Sequence, residues 1–145
     1  MPGVLQEDIG VLRPLMSERF SRSGIAAGLS SVQMNVYETE ATGSKLLIQG
    51  IPLPFGGAIV GLSAALSTAA TLGTLTLTVT INGTPTNCQL LITTATSGYL
   101  IQEYGSALFN TGDWLGVQIS TNAGWNGTTA DLLVEVYVVF VEARF

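Results

Sequence analysis

The chain has 145 residues, enough for one domain with a real core and too few for two. Hydrophobic residues make up 47% of it and charged residues only 10%, where an ordinary soluble domain carries roughly a quarter charged residues. With a net charge of −5 and only five Lys and Arg, the composition argues against nucleic acid and against an anionic membrane surface, since both are held chiefly by basic residues.

Residues 1–30 (MPGVLQEDIGVLRPLMSERFSRSGIAAGLS) differ in character from the remainder of the chain. Nine of the fifteen charged residues lie before Leu46, prolines and glycines interrupt the segment, and no period is sustained. This predicts an extended N-terminal arm over residues 1–30, leading into a β-domain over residues 31–145. Pro14 can open a short helix through Phe20, because proline is tolerated at a first helical position. An arm of this kind can wrap a large partner surface. Its apolar anchors are Val4, Ile9, Leu12, Leu15 and Phe20, with Arg13, Arg19 and Arg22 available to pair with acidic groups of a neighbour.

From Ser31 the apolar residues recur with period two, which sends alternate side chains to opposite faces of a strand. Thr74 to Ile81 (TLTLTVTI) is the plainest case, with Leu75, Leu77, Val79 and Ile81 on one face and four threonines on the other. Asn82-Gly83 then supplies a tight hairpin turn. Strands are expected at residues 32–37, 45–49, 59–66, 74–81, 87–93, 99–103, 114–120 and 132–143, with turn-rich separators between them. The stretch from Ala58 to Leu75 is uncharged and long enough to span a membrane as a helix. Its five Ser and Thr, the prolines at 52 and 54, and the lack of basic or aromatic anchors argue otherwise. The fold expected is all-β: a jelly-roll-like sandwich of about eight antiparallel strands behind an extended arm.

The last expected strand is apolar on both faces. Leu132, Val134, Val136, Val138 and Phe140 alternate with Leu133, Glu135, Tyr137, Val139 and Val141. Continuous runs of this kind mark strands buried on both sides. The second face, Leu133, Tyr137, Val139 and Val141, is therefore expected to meet another subunit in a homotrimer, unless a loop or the arm of the same chain covers it.

Catalysis is not expected. The chain has no histidine, which removes the commonest general base and metal ligand. The acidic residues near strand ends, Glu103, Asp113, Asp131 and Glu135, read as turn formers or solvated rims, and Asp113 after Gly112 reads as a turn. A calcium site would need more oxygen ligands than Asp131 and Asn126 provide. No cofactor and no metal is predicted. The lone Cys88 excludes an internal disulfide and reads as a small buried thiol. Asn82-Gly-Thr84 and Asn126-Gly-Thr128 read as turns rather than glycosylation sites, because the N-terminus as given shows no signal-peptide pattern. Trp125, in the glycine-flanked loop AGWNG, is expected to be an exposed binding anchor. Trp114, Tyr99 and Tyr104 could join it in a sugar-stacking platform.

Four segments occur in a telling order: Ile51 to Ser63 (IPLPFGGAIVGLS), Gly73 to Thr84 (GTLTLTVTINGT), Phe109-x-x-Gly-Asp-Trp-Leu-Gly-Val117, and Thr128 to Asp131 (TTAD). Together they resemble β-sandwich domains of tailed-phage structural proteins, namely head decoration proteins and head fibres. The likeness covers about residues 50 to 142. It implies a non-enzymatic homotrimer on the outer surface of the virion capsid, with the major capsid protein and neighbouring decoration subunits as partners. The alternatives are a fibre or receptor-binding tip, a carbohydrate-binding module using Trp125, or a small glycosidase using Glu103 and Asp113. A fibre would show long repeats or heptads, and the sequence has neither.

Overall fold

The computed structural model describes residues 15–36 and 50–141. Among them the regular structure is all strand: β1 (Leu15–Ser23), β2 (Val32–Gln33), β3 (Asn35–Val36), β4 (Ile51–Pro52), β5 (Gly57–Leu66), β6 (Leu75–Ile81), β7 (Thr84–Ile92), β8 (Ser97–Ile101), β9 (Leu108–Phe109), β10 (Trp114–Thr121) and β11 (Asp131–Phe140). One antiparallel sheet runs β3-β1-β11-β5-β8, with β9 continuing β8 along the edge of β5. The other runs β2-β10-β6-β7, with β4 continuing β2 along the edge of β10.

If β2 and β4 count as one interrupted strand, and β3 and β9 as short additions, eight strands remain. Numbered afresh in chain order, they lie as 1-8-3-6 in one sheet and 2-7-4-5 in the other. That interleaving is the strand order of a jelly roll. It brings the first and last strands together over β1's full length, from Leu15 opposite Val139 to Ser23 opposite Asp131.

The core lies between the sheets and obeys the alternation read from the sequence. Leu75, Leu77 and Val79 of β6 and Leu115, Val117 and Ile119 of β10 face Ile59 and Leu62 of β5 and Leu132, Val134, Val136 and Val138 of β11, all buried. Each such side chain contributes roughly 1.5–3 kcal/mol on leaving water. The β6–β7 hairpin turns at Asn82 and Gly83, with φ of 54° and 79°. Two successive positive φ angles make the type I′ turn whose twist matches the flanking strands. Gly57 is required for another reason: a Cβ there would stand 2.1 Å from the Val139 carbonyl oxygen, so β5 and β11 could not approach as they do.

The expected arm is corrected over half its length. Residues 15–23 form a strand between β11 and β3, where the sequence allowed a short helix through Phe20, and Phe20 is fully buried. Ile25, just beyond, is also fully buried. The inward side chains of β1 are Met16, Glu18, Phe20 and Arg22, as their pairing with the inward residues of β11 requires. Two of the four are charged, which erases the apolar period that would reveal a strand. Pro14 and the rest of residues 1–14 lie outside the described residues, as do the expected strand at 45–49, Tyr37, and the end of the last strand beyond Val141.

Candidate interaction surface

The outer face of the β1-β11-β5-β8 sheet is built in rows that the register fixes. One row runs Leu15, Val139, Ala58, Leu108; the next Ser17, Tyr137, Gly61, Ile101; the next Arg19, Glu135, Ser63, Tyr99; the last Ser21, Leu133, Ala65, Ser97. Charge on these four rows is confined to Arg19 and Glu135, which neutralise each other; one row further on, Ser23 opposite Asp131, the face ends on the exposed Asp131 carboxylate. The Arg19 Nε donates to Glu135 Oε1 at 2.6 Å, and the Tyr137 hydroxyl donates to Glu135 Oε2 at 2.7 Å. Ser63 Oγ lies 3.3 Å from the Tyr137 oxygen, which extends the chain of polar contacts to β5. The Tyr137 hydrogen bond, then the Arg19 contact, hold the Glu135 carboxyl below the usual carboxylate range.

Around this polar stripe the face is apolar and open. Leu15 is 66% exposed, Tyr99 76%, Ile101 81% and Leu108 62%. Gly61 stands opposite both Tyr137 and Ile101, and its missing side chain leaves a shallow trough lined by Leu15, Val60, Tyr99, Ile101 and Tyr137. The expected trimer contacts all lie on or beside this face: Leu133 at 38% and Val141 at 47% exposure, with Tyr137 and Val139 half-buried. Ile101 and Leu108 escaped the sequence reading. Their signal was faint, because β8 alternates exposed Tyr99 and Ile101 with half-buried Leu100 and so looks apolar on both faces.

The other expected sites fare differently. Of the arm contacts, Val4, Ile9, Leu12 and Arg13 lie outside the described residues. Leu15 is exposed, Arg19 is engaged with Glu135, and Arg22 Nε donates to the Gly24 carbonyl at 3.2 Å. Phe20, in the core, has no surface to offer a partner.

Trp125 is likewise corrected: it is 2% exposed, and its Nε1 donates to the Ile25 carbonyl at 3.1 Å. Its flanking glycines explain the burial. A Cβ at Gly127 would lie 2.4 Å from the indole, and one at Gly73 would lie 2.3 Å from the Trp125 Cα. Gly127 therefore leaves room for the ring, and Gly73, on another segment, for the backbone that carries it. With Trp125 inside, the sugar-stacking platform loses its central member.

Glu103 and Asp113 serve local turns. The Glu103 carbonyl accepts from Ser106 N. The Asp113 carboxylate accepts from Asn110 N at 2.7 Å and Asn82 Nδ2 at 3.0 Å, and these bonds, the backbone one first, lower its pKa. Asn126 caps the loop at Thr71 and Leu72 with its amide oxygen. Cys88 is buried, which pushes its thiol up to about 11 and keeps it unreactive.

No protein-family model and no curated protein matches this sequence. Solved structures do match in fold. A chain in the acid-stable capsid of the Helicobacter pylori bacteriophage KHP30 aligns with a TM-score of 0.51 and 11% identity, over 92% of this chain and 97% of that one. A chain of the cyanophage Pam1 capsid aligns with a TM-score of 0.48 and 13% identity, over 88% and 86%. The CBM36-1 domain of a multidomain xylanase from the hindgut metagenome of Trinervitermes trinervoides aligns with a TM-score of 0.43 and 7% identity, over 90% and 100%. What the chain shares with the KHP30 protein is the β-sandwich fold.

Proposed function

We propose that this chain is a non-enzymatic virion structural protein: a capsid decoration protein that binds the outer surface of a tailed-phage head as a homotrimer and bridges neighbouring capsomers. The observation that carries this reading is the outer face of the β1-β11-β5-β8 sheet. Large apolar side chains are exposed there around an internally neutralised ion pair, with the one uncompensated carboxylate among the described residues of the face, Asp131, at its end. Contiguous apolar surface of this kind marks an interaction site in a soluble protein. Leu133, Tyr137, Val139 and Val141 would form the trimer contact, and residues 1–14, with Val4, Ile9, Leu12 and Arg13, would reach the major capsid protein or a neighbouring decoration subunit. The resemblance of residues 50 to 142 to phage head proteins supports the same reading.

Co-sedimentation with heads of the cognate phage tests it. A decoration protein saturates at a fixed ratio to the major capsid protein. A protein that stays in the supernatant at all concentrations, or that binds glycans as an isolated oligomer, is not one.

A further inference from the structure

We propose that β8 pairs, antiparallel and about a two-fold axis, with β8 of a second copy of this chain. An exposed strand edge offers unpaired N–H and C=O groups to any other chain, and folded proteins blunt such edges with charges, prolines, bulges or brevity. The other described edges are blunted. β2, β3, β4 and β9 have two residues each, and β4 contains Pro52. β7 carries Pro85 and a bulge opposite Thr78–Thr80. β1 beyond its pairing with β3 carries Glu18 and Arg19. β8 (SGYLI) has five residues with no charge, no proline and no break in its register with β5.

The phase of its hydrogen bonds decides what fits. Gln102 N donates to the Val60 carbonyl and Leu66 N donates to the Thr96 carbonyl, so the even residues of β8 face β5. The backbone groups of Ser97, Tyr99 and Ile101 therefore point away from the sheet, and among the described residues they have no partner.

In an antiparallel pair centred on Tyr99, Ser97 stands opposite Ile101 of the second copy, Tyr99 opposite Tyr99, and Ile101 opposite Ser97. Every outward N–H and C=O then meets its complement in a hydrogen-bonded pair. The contact brings no charge against like charge, although the chain as a whole carries −5. It also places the exposed Tyr99 and Ile101 side chains of both copies on one continuous apolar face. A two-fold contact is isologous and cannot itself close a trimer. Within the decoration reading, on which only this setting rests, it joins neighbouring trimers to one another.

Cysteine cross-linking reads the register directly. Hydrogen-bonded antiparallel partners have Cα atoms about 5.5 Å apart, inside the span of a disulfide, so Tyr99→Cys should give dimers on a non-reducing denaturing gel. Ser97→Cys is also exposed, but its counterpart lies four residues along the second strand, and it should cross-link at least ~10-fold more slowly. The buried Cys88 does not compete. Tyr99→Pro, read by sedimentation instead, removes an outward N–H and no bond to β5, so it should be folded and without the two-fold species. Equal cross-linking of the two cysteine variants, or none by Tyr99→Cys, overturns the pairing, as does unchanged association of Tyr99→Pro. All three readings are made on free protein, so they stand or fall apart from capsid binding.

Discussion

Trp125 and Ile25, a hundred residues apart in sequence, are joined by a buried hydrogen bond from the indole Nε1 to the Ile25 carbonyl at 3.1 Å. The loop before β11 is thereby fastened to the chain leaving β1, at the end of the sandwich opposite the β6–β7 hairpin. Trp125→Ala should cost about 3–5 kcal/mol, the usual range for emptying a buried aromatic site. Trp125→Phe should cost less, losing a bond worth about 1 kcal/mol plus some packing. Urea denaturation of both variants checks the order; equal stability of Trp125→Ala and the parent would mean that the ring is not in the core.

Removing residues 1–28 should unfold the protein, because it deletes all of β1, with Phe20, and the buried Ile25. Removing residues 1–14 leaves β1 intact and should preserve both the β-rich circular dichroism spectrum and the melting temperature. Capsid co-sedimentation of the shorter deletion then isolates the proposed reach of this segment: binding should fall while the fold persists.

Two glutamates should respond to pH in opposite senses. The Glu135 pKa is held down by Tyr137 and Arg19, so its contribution is present above the unfolded pKa and is lost as pH falls through the lower folded value. Glu135→Gln should therefore lose about 0.5–1 kcal/mol at pH 7, a modest figure because Arg19 is half exposed, and the deficit should vanish in acid. Glu18 is inward on β1, and desolvation raises its pKa. Its effect favours folding below the unfolded pKa and is lost as pH rises through the raised value. Glu18→Gln should melt higher than the parent at pH 7 and no higher in acid. Thermal melts from pH 3 to pH 7 distinguish the two.

Val139→Glu probes the proposed trimer contact. Val139 sits half-buried on the outer face, in the row that joins Leu15 to Leu108. A carboxylate trapped there by another subunit would cost several kcal/mol. The variant should stay folded and lose the trimeric species in sedimentation, leaving at most the β8-paired dimer, and a trimer that persists would move the contact elsewhere.

The sequence by itself determined the local half of this fold. Leu75–Ile81 could only be a strand, because its apolar residues recur at the period of the pleat, although its threonine face, expected to meet water, is buried at Thr78 and Thr80 beside Gln89 and Gln33. Asn82-Gly83 could only turn it back, because two positive φ angles are needed there. The two apolar faces of β11 were legible in the same way.

Tertiary structure alone decided the rest. β1 has charged Glu18 and Arg22 on its inward face, so its identity as a strand depends on nine partners in β11, far away in sequence. The burial of Trp125 depends on Gly73 and Gly127 leaving space around it, a relation between distant segments that a glycine-flanked loop does not announce. The unguarded edge of β8 likewise exists only because the jelly-roll order places that strand last in its sheet. Periodicity records which side chains a strand buries, whereas which strand neighbours which is set by long-range pairing, and that pairing decides what surface is left for a partner.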